Sequence, residues 1–146
     1  MVIRRKQMEE TLDNLKSSLR TLKKTIDLKI NERQGYLNRA NEIQKIYNRM
    51  YQDKVSVKEY RKSVNTFYKK NYDDFKGNNF KYTYKPAVKD LVNSYDYVID
   101  KIDVNLDSLN NKMLTLKNQA SECLGVLGIL ESSYNTVKTK IENWTN

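Results

Sequence analysis

The chain has 146 residues and a mass of 17.3 kDa, with 38% hydrophobic and 31% charged residues and a mean hydropathy of −0.83. That suits one polar domain rather than several. Its formal net charge is +9, and it holds one cysteine and no histidine, which excludes a disulfide framework, a cysteine zinc site and every histidine-based catalytic or metal-binding arrangement.

No apolar run reaches the roughly eighteen residues of a membrane span. Residues 1–7 are basic with no apolar run behind them, which predicts no cleaved signal peptide. With four glycines and one proline, turns are few and elements long.

The N-terminal segment predicts a long helix over about 3–52. Met8, Leu12, Leu15, Leu19, Leu22 and Ile26 step alternately by four and three, the spacing of a heptad seam. Lys29 then stands where a core residue is due, so the pattern predicts a stutter near Ile26–Ile30 and a bend at Gly35 before Leu37, Ala40, Ile43, Tyr47 and Met50 resume it. A break is expected at 53–55, because Ser56 and Glu59 have the form of a capping box. A short helix over about 57–75 would follow, burying Val57, Tyr60, Val64, Phe67 and Tyr68. Lys76-Gly77-Asn78-Asn79 is the strongest turn signal in the chain, and a connector is expected through about residue 85.

From Val88 to Trp144 the apolar residues alternate fours and threes without a slip, predicting one helix over about 86–145 with Pro86 in its first turn. The expected fold is all-α. It is an elongated, coiled-coil-like antiparallel helical hairpin, with two long helices and a short intervening one in a single domain. Leu124, Val126, Leu127, Ile129 and Leu130 make part of the last helix apolar nearly all round. Such a helix belongs inside a bundle, so these five residues are the expected partner interface, with self-association as one way of covering them.

Charge divides along the chain: residues 1–85 carry 21 Lys and Arg against 10 Asp and Glu, and residues 86–146 carry 6 against 8. Complementary faces of two long helices account for this, as would an acidic partner. Asp96, Asp100, Asp103 and Asp107 share a helix face and read as a solvated or docking edge for the basic first helix. Cys123 falls on the apolar stripe and reads as a small core residue. No catalytic, cofactor or metal site emerges. Residues 54–85 hold nine Lys and Arg against three acids, with interleaved aromatics. That composition suits a partner-binding tip, with single-stranded nucleic acid as the alternative ligand.

Two long helices around Phe75-Lys76-Gly77, with Phe80 beyond, resemble the WXG-type secretion substrates of Gram-positive type VII systems. The long first helix is closer to the YwqH-like small helical proteins associated with LXG toxins. Phe75 takes the place of the motif's tryptophan, and the C-terminal export signal of WXG partners is missing, since Lys138 stands four residues after Tyr134. The resemblance implies an accessory, non-enzymatic targeting factor. It would bind the helical domain of an LXG toxin, alongside a second small helical protein and the secretion machinery, without inserting into a membrane. Its place would be the cytoplasm before export, or outside with its partner. The alternatives are a basic coiled-coil nucleic-acid-binding protein and a homo-oligomeric scaffold.

Overall fold

The computed structural model describes residues 2–69 and 83–145. Two helices account for nearly all of them: α1, Val2–Lys69, and α2, Lys85–Thr145. The helices pack antiparallel as a helical hairpin, and no strand occurs among the described residues. Packing divides into two units. One joins residues 1–40 to 114–146, and the other comprises residues 41–113.

The heptad explains both helices. On α2, every residue of the stripe from Val88 to Trp144 is buried or half-buried. Outside the stripe, among the α2 residues whose side chains are described, only Asp96, Asp103 and Gln119 are less than exposed. Val92, Ile99, Leu106 and Met113 form the buried α2 side of one unit, and Leu116, Ala120, Cys123 and Leu127 that of the other. An apolar side chain buried this way contributes about 1.5–3 kcal/mol. Pro86 sits in the first turn, where its missing N–H breaks no helical bond.

Helix α1 departs from the expected boundaries. It runs through residues 53–55 without interruption, so no separate second helix begins there and Ser56 is an exposed residue inside the helix rather than an N-cap. The reason lies in the seam. Its fours and threes continue as Lys54, Val57, Arg61 and Val64, all partly buried, with long cationic side chains at two positions. Their stems can cover the seam while their charges reach its edge. Tyr60 and Phe67, expected to be buried, lie outside that register and are exposed.

The expected stutter is absent for the same reason. Lys29, Arg33 and Tyr36 carry the seam from Ile26 to Ala40 in register, and Ile30 is exposed. Gly35 lies within the helix with no positive φ. The Gly77 turn, Tyr68 and most of the expected connector fall outside the described residues or side chains, as does the side chain of Met8.

Candidate partner-binding surface

The two units use their polar side chains differently. In the unit of residues 41–113, cations on the α1 seam meet carboxylates on the edge of the α2 stripe. Arg61 donates from Nε to Asp96 Oδ1 at 2.5 Å and from Nη2 to Oδ2 at 3.3 Å, a two-pronged pairing. Lys54 forms an ion pair with Asp103. The hydrogen bond to Asp103 holds the Lys54 ammonium above the usual lysine range, against the opposing effect of its partial burial. Asp96 and Asp103 thus form the docking edge for α1, whereas Asp100 and Asp107 face solvent. Lys101 lies over the Tyr97 ring, 5.3 Å from its centre, which ties an exposed tyrosine to its own helix.

In the unit of residues 1–40 and 114–146, a small hollow is lined by Lys29, Glu32 and Tyr36 from α1 and by Gln119, Glu122, Cys123 and Val126 from α2. Lys29 Nζ donates to Glu32 Oε2 at 2.9 Å, and Tyr36 Oη donates to Glu32 Oε1 at 3.3 Å. The bond to Glu32 raises the Lys29 pKa, and the same bond holds the Glu32 carboxyl below the usual carboxylate range. Partial burial, followed by the neighbouring Glu32 charge, pushes the Tyr36 hydroxyl up. Cys123 is buried at the base of the stripe, as its position predicted. Arg33 differs from these neighbours: its Nε is buried and has no hydrogen-bond partner.

The five expected interface residues divide among three sides of α2. Leu127 is only 6% exposed and belongs to the internal seam, with half-buried Leu130 beside it. Leu124 is 56% exposed and lies next to Cys123 on one flank, at the heptad e position. Val126 and Ile129, the latter 70% exposed, lie on the other flank. The apolar turn is thus covered on one side and open on two. Further exposed apolar side chains occur at Leu28, Ile30 and Leu114 in or at the border of this unit, and at Tyr60, Leu91 and Val98 in the other.

The other expected site residues, Phe75, Gly77 and Phe80 of the turn motif, lie outside the described residues. No group of three or more acids or cysteines placed to hold a metal ion is found among the described residues. No described helix is long and apolar enough to cross a membrane.

Reading only apolar residues as seam members hid Lys29, Arg33, Lys54 and Arg61. Counting heptads strictly from Leu12, whatever the residue type, finds all four. No family model, curated protein or solved structure matches this chain.

Proposed function

We propose that this protein is a non-enzymatic helical partner that binds the N-terminal helical domain of an LXG toxin and assists its export by a type VII secretion system. The observation that carries the binding role is the division of the apolar turn of α2, with Leu124, Val126 and Ile129 exposed on both sides of a buried seam. Exposed apolar side chains around one stretch of helix suit docking against further helices in a bundle. The choice of an LXG toxin rests on the resemblance carried by Phe75, Gly77, Phe80 and the long flanking helices. A second small helical protein of the same locus would cover the remaining flank.

The basic segment gives less support to nucleic acid as ligand. Lys54 and Arg61, two of its nine cations, are engaged by Asp103 and Asp96 of the same chain. Charges already paired contribute little to phosphate binding and its counterion release.

Deleting the gene tests the export role. Toxin secretion should be lost while toxin synthesis continues, and unchanged secretion rejects that role. Co-expression with the toxin's helical domain tests binding separately, through a stable complex at physiological salt.

A further inference from the structure

Two cations of the α1 seam at the same heptad position follow a rule that a third, Arg33, breaks. Lys54 and Arg61 are one heptad apart, and so are their partners Asp103 and Asp96, both at e positions of α2. Arg33 has the same heptad position as Arg61, four heptads earlier on α1. Four heptads beyond Asp96 on α2, the e position holds Leu124. The hollow that joins Lys29 and Tyr36 to Cys123 sets the register of this unit on its own evidence, and it too brings Leu124 to the level of Arg33. An exposed leucine therefore stands where the pattern calls for a carboxylate, and the buried Nε of Arg33 has no partner.

A buried, unsatisfied guanidinium nitrogen is costly. The surface around it suits an incoming helix. Ile30, at an α1 e position, is exposed beside it, and Leu37 is half-buried. A Cβ added to Gly128, one turn from Leu124, would meet nothing within 4 Å, so a neighbouring backbone can come close.

Charge decides between occupants. The outer e positions of this unit are Glu9, Lys16 and Lys23 on α1 and Lys117, Glu131 and Lys138 on α2, four cations against two acids. A second copy would bring two flanks of net positive charge together. An acidic helix would not.

We propose that the flank centred on Leu124 receives a helix of another protein that carries a carboxylate within its apolar stripe, and that this carboxylate pairs with Arg33. The inference rests on the reading of this chain as a helix-binding partner and gives that partner a chemistry. It makes Arg33 and Leu124 a composite site: one supplies the apolar seat, the other the charge that selects the occupant.

Two synthetic helices of about three heptads test it, each with leucines along one stripe and either a single Glu or a single Gln at the centre. Binding to the full chain is followed by fluorescence anisotropy, and every variant is checked for helicity by circular dichroism. The Glu helix should bind about tenfold more tightly than its Gln twin, the expected gain of a charge-assisted pair over a neutral one. Arg33→Met should erase that difference, and Leu124→Lys should weaken both helices. Arg33→Met should also raise the thermal midpoint of the isolated chain, because the unsatisfied group is gone.

Equal binding of the two helices, or binding of neither, overturns the proposal. So does a lowered midpoint in Arg33→Met, or a wild-type dimer in sedimentation that Leu124→Lys dissolves, since a second copy would then occupy the flank. No toxin is present in this experiment, so its outcome and that of the export test stand apart.

Discussion

The hydrogen bonds around Glu32 give individual residues a pH signature. Its folded pKa is lowered, so its contribution to stability is present above the ordinary glutamate range near about 4.3 and is lost as pH falls through the lowered value. Lys29, Lys54 and Tyr36 have raised values. Their contributions are present below about 10 and are lost as pH rises through the raised values. The thermal midpoint, followed by circular dichroism, should therefore stay level between about pH 5 and 10 and fall at both ends. Glu32→Gln should flatten the acid side and reduce the alkaline side, leaving the parts due to Lys54 and to the partial burial of Tyr36. Leu106, only 5% exposed, reports packing instead of charge. Leu106→Ala should cost about 2–5 kcal/mol in chemical denaturation.

At the scale of the element, the continuity of α1 has a direct test in Ser56→Ala. Loss of an N-cap would destabilise by about 1 kcal/mol, whereas an exposed mid-helix alanine is neutral or stabilising by a few tenths. Denaturation midpoints should show the second outcome. On α2, the double change Val126→Lys and Ile129→Lys should leave helicity and stability nearly unchanged, because both side chains are exposed. Loss of helicity would place them in the core after all.

These two helices also mark how far the sequence could be read. The α2 stripe was legible throughout because almost every seam position from Val88 to Trp144 holds an apolar or aromatic residue, so pattern and burial coincide. On α1 the heptad was equally regular, but it was written partly in lysine and arginine. Hydrophobicity alone therefore suggested a slip at Lys29, and nothing in it opposed the break that the capping-box pattern of Ser56 and Glu59 suggested at 53–55. The exposed apolar surface was half legible: the composition of residues 123–131 signalled an excess of it, but only the register of the seam separates buried Leu127 from exposed Leu124 and Ile129. Arg33 could not be found by composition at all, because its significance lies in a partner that is missing across the seam.

Taken as a whole molecule, the chain makes unequal demands on its two helices. α1 supplies most of the cations, and α2 supplies most of the buried apolar residues together with the acids that anchor Arg61 and Lys54. A peptide of α2 alone should therefore self-associate through its long bare stripe, and a peptide of α1 alone should stay monomeric and less helical. Mixing the two should restore a one-to-one complex in sedimentation equilibrium. The buried position of Cys123 gives the intact protein a clock as well. Cys123 is 5% exposed as a residue and borders the small hollow beside Lys29 and Tyr36, so an alkylating reagent reacts with it fastest in those moments when the helices part around residues 29–36. The reaction half-life, measured over a range of reagent concentrations, reports how often that part of the hairpin opens. A docked helix that clamps this unit should lengthen the half-life, without any label having been attached to the partner.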